Sequence, residues 1–491
     1  MRGLFRFFAL VAAVPLAGAV ALAQYEDHLY VPEIRFTELA LPLSTERVNA
    51  LASDGANRIW VATPEGVSAL AAAPGADPER PESLFERATF FPFRQDDGLL
   101  SDTVSAVAFA VLRNDEHFFL GFPTGLQYGR VLSTTGLSLP ADTALLRGET
   151  SAERVNDLAS AGSGVVWAAT DGGLREWDLG GQSPLETTPS PYMEGHAVRA
   201  VAARPDAPEG AACATESRVY LVESGGTPVD LDLPAGVEEI VDLSFDDNGN
   251  LWVLGETNNQ VRVWRYDAGA LEEPQAATPA LASSLPDEID PGEAKNLSVD
   301  PVQEAVWVAA GGEGAWFATV DDTGLSDWTQ ATAQGQVVPP AARTVWRVFA
   351  DPAGNVWFGT DEGVEALVAR FLSLDSTRYL GFGTTARITV LDVAAAGRGA
   401  IQVEVNGEPK EIPETDNPGV FSQTLRFSET GGPDAIRVAS TPEDTPVTFR
   451  YAYDPERADR VLTATVTWAH IEDFEDDFWI GGPCFLDTLV R

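Results

Sequence analysis

Positive charge and titratable nitrogen are scarce in this sequence. Lys295 and Lys410 are its only lysines, it has four histidines, and 32 basic residues face 74 acidic ones, a formal net charge of −42. A surface of that sign repels phosphate backbones and anionic headgroups, so no nucleic-acid partner is expected. His28, His117, His196 and His470 stand far apart, with no His-x-x-x-His or Cys-x-x-Cys pair. No metal or other cofactor is therefore expected. There is neither a Gly-x-Ser-x-Gly elbow nor a Gly-x-x-x-x-Gly-Lys phosphate loop. With so little histidine, general acid–base chemistry near neutral pH has few agents, and no catalytic residue is assigned. The two cysteines, Cys213 and Cys484, fall in different regions, so a buried free thiol at Cys213 is expected rather than a bridge.

Long apolar runs are also nearly absent. The one present spans 7–23, follows Arg2 and Arg6, is interrupted by Pro15 and Gly18, and ends in Ala21-Leu22-Ala23. That is the layout of a secretory signal peptide cleaved after Ala23, with no membrane insertion once it is removed. A periplasmic, extracellular or cell-surface location is expected.

What the sequence does have is a repeat. A short alternating strand ends in a polar turn; then comes apolar-Trp-apolar-small-Thr, a two-residue turn, Gly and an apolar residue. The clearest copies run Val48-Asn49-Ala50-Leu51 to Ile59-Trp60-Val61-Ala62-Thr63, Val155-Asn156-Asp157-Leu158 to Val166-Trp167-Ala168-Ala169-Thr170, and Val345-Trp346-Arg347-Val348 to Val356-Trp357-Phe358-Gly359-Thr360. Taking Trp60, Phe119, Trp167, Ala212, Trp252, Trp307 and Trp357 as equivalent gives seven copies at intervals of roughly 40 to 60 residues. Period-two alternation between Gly, Asn and Asp turns makes strands. A lone unit of three or four strands cannot bury both faces; radial packing of several can. The expected fold is all-β, a seven-bladed β-propeller over 24–370, with each tryptophan wedged between blades. Asp246-Asp247-Asn248-Gly249-Asn250 has a calcium-loop look but lacks the twelve-residue spacing and terminal glutamate; in the repeat it is a hairpin turn. Ile34–Leu39 reads as a spare outer strand that would complete the last blade and close the ring.

These residues resemble the two-component-regulator propeller repeat of bacterial extracytoplasmic sensor regions, with Val356-Trp357-Phe358-Gly359-Thr360 before Gly363 the closest match. Asp97-Gly98-Leu99-Leu100-Ser101 with Val104 resembles the family's lead into a blade. The resemblance implies ligand sensing or partner contacts. The membrane span and kinase motifs of such sensors are not found in this sequence.

From about Phe371 the pattern changes to short alternating strands near 386–391, 401–405, 420–425, 447–451 and 462–466, which suggests a C-terminal β-sandwich over 371–469. Thr415 to Phe421 with Tyr451-Ala452-Tyr453-Asp454 is similar to immunoglobulin-like modules of bacterial surface proteins, which implies a spacer or adhesive role. Residues 470–491 form an acidic, aromatic, cysteine-containing tail. Its Gly482-Pro483-Cys484-Phe485 stretch resembles C-terminal sorting tails of exported bacterial proteins.

Propeller ligands commonly sit at the mouth of the central channel. The loops leading into each first strand, and the turn after each Trp strand, carry Arg47, Glu65, Arg154, Asp171, Arg343, Asp361 and Glu362. Arg47 and Arg154 occupy equivalent places, either as contacts to an anion or carbohydrate or as ion-pair partners between blades. The expected function is an exported, non-catalytic binding or interaction protein whose partner is a protein or carbohydrate. The alternatives are a propeller lyase or hydrolase acting on polysaccharide or lactone, and a sensor subunit serving a separate histidine kinase. A strongly perturbed acid–base pair in the channel would favour the enzyme.

Overall fold

The computed structural model describes residues 47–469, except 55–57, 72–88, 113–114, 134–135, 139–153, 161–163, 180–188, 206, 208, 303, 322–323, 332–343, 362, 440–443, 456 and 458–459. The expected signal segment, the Ile34–Leu39 closing strand, Cys484 and the tail lie outside the described residues. The described chain is all-β, with short 3-10 turns and no α-helix. It divides into two compact units: one runs to Phe371 and includes Leu391–Ala394, the other takes Leu372–Val390 and continues from Ala395.

The first unit holds seven antiparallel sheets, each made of strands consecutive in sequence and paired with their neighbours. Their first strands are Ala50–Ser53, Ala106–Leu112, Val155–Ser160, Ala200–Ala203, Val237–Phe245, Asn296–Asp300 and Val345–Ala350. The first strands contact one another in cyclic order, the seventh meeting the first, so they form an inner ring around a channel. This is a β-propeller. Among the described residues the seventh sheet has three strands, ending at Val364–Leu367.

The repeat can be accounted for residue by residue. Trp60, Phe119, Trp167, Ala212, Trp252, Trp307 and Trp357 share one register, pairing with Ala52, Ala108, Ala159, Ala202, Ser244, Ser298 and Phe349. Each buried cluster joins two successive sheets: Trp60 packs with Phe118 and Leu120, Trp167 with Cys213 and Val222, Trp252 with Leu297 and Val306, and Trp307 with Val345 and Phe358. A wedge of this size buries 150 Å² or more, roughly 3 kcal/mol or more of apolar transfer. The small residue two places later is fixed by the neighbour. A Cβ on Gly121 would stand 2.6 Å from a Val155 methyl, and one on Gly359 2.6 Å from Val48.

The threonine that ends the strand folds the next turn. Its hydroxyl donates to the glycine carbonyl three residues on, in Thr63, Thr170 and Thr360 at 3.0, 2.7 and 3.1 Å. The glycine must be glycine: Gly66 has φ 136°, and a Cβ there would meet the Phe93 carbonyl oxygen at 2.3 Å. Cys213 is buried and free, its thiol pushed up to about 12 by desolvation.

The second unit carries two sheets of four and five strands, built from Arg370–Leu374, Thr385–Asp392, Val420–Ser428 and Ala435–Arg437, and from Arg378–Leu380, Val461–Ala469, Thr445–Ala452, Ala400–Val405 and Glu408–Pro413. Alternation is clean in Ala400–Val405 and Glu408–Pro413, which pair through the Asn406-Gly407 turn. Asn406 has φ 52° and Gly407 φ 80°, the two positive values a tight hairpin of matching twist requires. Phe421, Phe427, Val447, Phe449 and Trp468 are buried.

Candidate functional site

Two sets of aspartates organise the propeller. In the first, Asp54, Asp246 and Asp351 sit in the turn between the first two strands. Asp351 accepts from the backbone N–H of Ala353 and Asn355, from Asn355 Nδ2 and from Trp357 Nε1, at 2.9, 3.0, 2.9 and 2.9 Å. Asp246 repeats the scheme, taking Trp252 Nε1 at 3.0 Å, and Asp54 takes Trp60 Nε1 at 2.8 Å. The carboxylate thus ties a turn to the tryptophan six residues on, and its oxygens are occupied by protein donors. In the third sheet that turn aspartate is missing, and Trp167 Nε1 is buried without a hydrogen-bond partner.

The second set lines the channel. The third residue of the repeat's first strand pairs with the residue two places after the tryptophan position, small in every sheet but the fifth, where it is Leu254. Around the ring it is Ala50, Ala106, Asp157, Ala200, Asp242, Asn296 and Arg347. Where it is polar, it reaches the next sheet. Asp157 Oδ2 accepts from Val201 N–H at 2.9 Å and Asp242 Oδ2 from Leu297 N–H at 2.8 Å. Asn296 exchanges two bonds with Val348, accepting its N–H at 2.7 Å and donating to its carbonyl at 3.0 Å. Arg347 Nε donates to the Asn49 carbonyl at 2.6 Å, joining the seventh sheet to the first.

Asp157, Asp242 and Arg347 are deep in the fold yet only half-buried, as expected of side chains on the wall of a narrow channel. Desolvation, then the charge of Asp242, pushes Asp157 up to about 7, against the N–H bonds of Val201 and Leu158 and the charge of Arg347. Desolvation likewise raises Asp242 to about 6, opposed by the N–H bonds of Leu297 and Leu243. Desolvation lowers Arg347; the two aspartates counter it, and the like charge of Arg47 adds to it. Two carboxylates and one guanidinium therefore form a coupled group inside the ring.

At the end of the channel toward which the first strands are entered, the turn after each second strand lies beside the residue leading into the first. Asp171 N–H donates to the Arg154 carbonyl at 3.1 Å and Asp361 N–H to the Thr344 carbonyl at 3.3 Å. Asn156 Nδ2 donates to Asp171 Oδ1 at 2.9 Å. Glu65 is half-buried, its N–H on Thr63 Oγ1 at 3.1 Å, while Arg154 and Asp171 are exposed. Arg343 and Glu362 lie outside the described residues.

The exposed Arg47 guanidinium lies 4.9 Å from the centroid of the Trp346 ring, and Lys295 Nζ lies 5.9 Å from the same centroid. Residues of the sixth, seventh and first sheets thus meet at one indole. Trp346, Lys295 and the channel residues Asp157, Asp242, Asn296 and Arg347 are absent from the motif-based candidates. Their signal is positional: the repeat's third strand position is alanine in three copies and charged in three others.

Among the described residues no group of three His, Cys, Asp or Glu side chains is placed to hold a metal ion. The second unit has an open cleft of about 430 Å³ lined by Asn406, Glu408, Glu429, Arg437, Val438 and Ala439. No described helix is long and apolar enough to cross a membrane.

No curated protein matches the chain. Similar solved structures include the WD40 β-propeller domain of Doa1, at 11% identity and TM-score 0.46, covering 67% of this chain and 95% of that one. A chain of a mitotic checkpoint complex aligns at 15% identity and TM-score 0.48, covering 69% and 92%. The extracellular domain described as that of a hybrid two component system from B. thetaiotaomicron aligns at 14% identity and TM-score 0.46, covering 86% of this chain and 52% of that one. Over residues 177–299, the fourth and fifth sheets and their flanks, the sequence matches the family model of the lipoprotein LpqB β-propeller domain.

Proposed function

We propose that this chain is an exported, non-catalytic binding protein, a seven-bladed propeller presenting the mouth of its channel as the recognition surface. The seven successive sheets support the blade count. The two sheets of the second unit support a β-sandwich of immunoglobulin-like character, which would act as spacer or attachment module. The signal-like N-terminus and the lipoprotein family matched over 177–299 support a place in the cell envelope or outside the cell.

The observation that carries the reading is the convergence of Arg47, Lys295 and Trp346 from three sheets at one end of the channel. Such a junction offers a rigid, charged and aromatic surface, the composition that recognition sites favour. A screen of the purified chain against glycan and protein arrays tests it. Specific binding abolished by substitutions at the mouth is expected; binding that survives them all would sink the idea.

A second reading, a propeller lyase or hydrolase, is favoured by the raised Asp157 and Asp242 beside Arg347. Against it, all four of their carboxylate oxygens already accept a backbone N–H, from Leu158, Val201, Leu243 and Leu297, at 2.8–2.9 Å. These carboxylates hold the channel wall together. Turnover of any polysaccharide or lactone that disappears in Asp157→Asn would reverse the preference.

A further inference from the structure

Sulfur is scarce in this chain, and half of it meets at one seam. Met1 and Met193 are the only methionines, and Cys213 and Cys484 the only cysteines. The Cys213 thiol donates to the Met193 thioether sulfur at 3.6 Å. Cys213 is buried on the second strand of the fourth sheet, Gly210–Ala214. Met193 follows the last strand of the third sheet, Ser190–Tyr192, and begins the connection that crosses to Ala200–Ala203. The contact therefore joins two successive sheets.

The backbone of this connection is held in place. Gly195 N–H donates to the Gly172 carbonyl at 3.1 Å, His196 N–H to the Met193 carbonyl at 3.0 Å, and Val198 N–H to the Thr170 carbonyl at 2.9 Å. Met193 has φ 53°, a left-handed conformation that favours glycine or asparagine. A methionine gains nothing from that backbone, so its place rests on what its side chain does. The side chain is half-buried and packs on the cluster that holds Trp167, Tyr192, Cys213 and Val222. One side of it meets solvent and the other meets the thiol.

The two sulfurs differ in chemistry. Desolvation pushes Cys213 up to about 12, so at neutral pH it is a protonated thiol, which peroxides attack poorly. A thioether does not ionise, and its oxidation follows exposure. Met193 is the sulfur of the pair that an oxidant reaches first.

We propose that Met193 is a site of reversible oxidation, its thioether covering the Cys213 thiol and its sulfoxide uncovering it. With a hydroperoxide as oxidant, the thioether sulfur takes the terminal oxygen. An S–O bond forms, the O–O bond breaks, and the proton of that oxygen passes to the leaving oxygen, which departs as water or an alcohol. Sulfur gives up two electrons, and the peroxide is reduced by the same two. The product is polar, and two sulfurs already in contact leave no room between them for its oxygen. The side chain therefore leaves the apolar cluster for water, and small electrophiles gain access to the thiol beneath.

The test uses the full chain carrying Cys484→Ser, so that Cys213 is the thiol that reacts. Its rate of modification by N-ethylmaleimide is measured before and after hydrogen peroxide, with peptide mass mapping of Met193. Peroxide is expected to add one oxygen at Met193 and to raise the thiol rate by about tenfold or more. Methionine sulfoxide reductase should reverse both. Met193→Leu, apolar and without sulfur, should keep the thiol slow in either state. Met193→Gln, polar and of similar length, should make it fast without oxidant. Urea unfolding of each protein separates local uncovering from loss of fold. The proposal is overturned if Met193 resists peroxide that converts a free methionine derivative, or if Met193 is oxidised and the thiol stays slow. It also fails if the Met193→Leu thiol accelerates as much as the unsubstituted one, if Met193→Gln leaves the thiol slow, or if the gain in rate matches a fall in global stability.

Discussion

The aspartates of the hairpin turns and those of the channel wall are the same side chain put to opposite uses. Asp54, Asp246 and Asp351 are satisfied within seven residues of themselves, by their own turn and their own tryptophan. Asp157 and Asp242 reach across to strands 44 and 55 residues away. The first kind builds a sheet, and the second joins one sheet to the next. The N–H donors around Asp351 favour its anion, yet burial of the turn outweighs them and raises this carboxyl above the ordinary aspartate value. Asp157 and Asp242 accept fewer donors, and desolvation raises both, to about 7 and about 6, with the charge of Asp242 adding to the rise of Asp157.

The largest expected effect tests the local set. Asp351→Ala strips the acceptor from four donors in a buried turn and should cost about 3–4 kcal/mol in urea unfolding. Asp246→Ala, in a more exposed turn, should cost less. Equal costs at the two sites would mean that burial of the turn does not set the worth of this aspartate.

Next comes a test of the channel set by pH. Asp157 is raised to about 7 and Asp242 to about 6, chiefly by desolvation, whereas an unfolded aspartate titrates near 3.9. The folded chain therefore binds more protons than the unfolded one between those values. Stability falls as pH rises from about 4 to about 7, by up to about 1.4 kcal/mol per pH unit for each group, and water in the channel lessens this. Asp157→Asn loses one cross-sheet bond, about 1 kcal/mol, yet should flatten its share of the slope. Urea melts at pH 4.5 and 7.5 decide it; an unchanged slope in the double variant with Asp242→Asn would show that neither group titrates in this window.

This contrast explains what could be read from the sequence. The turn set is written in contiguous residues, Asp351-Pro352-Ala353-Gly354-Asn355 then Trp357, so spacing alone announces strand, turn and wedge. The Thr360 to Gly363 turn is legible for the same reason. The channel set has no contiguous signature: Asp157, Asp242 and Arg347 are single residues in otherwise apolar strands, and their meaning appears only when the ring closes. Arg47 was visible as a loop arginine equivalent to Arg154, yet its contact, Trp346, lies 299 positions on. In the second unit, Ala400–Val405 and Val420–Ser428 stand out by alternation, whereas Arg378–Leu380 is too short to signal a strand and exists because Val461–Ala469 pairs with it.

The smallest effect is the sharpest comparison, because it holds the side chain constant. Trp357 and Trp167 occupy the same register in the seventh and third sheets, and both are buried. Trp357 Nε1 donates to Asp351 at 2.9 Å, whereas Trp167 Nε1 has no partner. Phenylalanine in either place removes the N–H and part of the ring, so the packing loss is shared and the hydrogen bond is the difference. At position 357 the change also leaves a buried carboxylate oxygen short of one donor. At position 167 it removes an unsatisfied group, which offsets part of the lost packing. Trp357→Phe should therefore cost about 1–2 kcal/mol more than Trp167→Phe in urea unfolding. If the two cost the same, the aspartate serves the turn alone and the tryptophan stands by its packing, which would separate the two halves of the motif that the sequence presents as one.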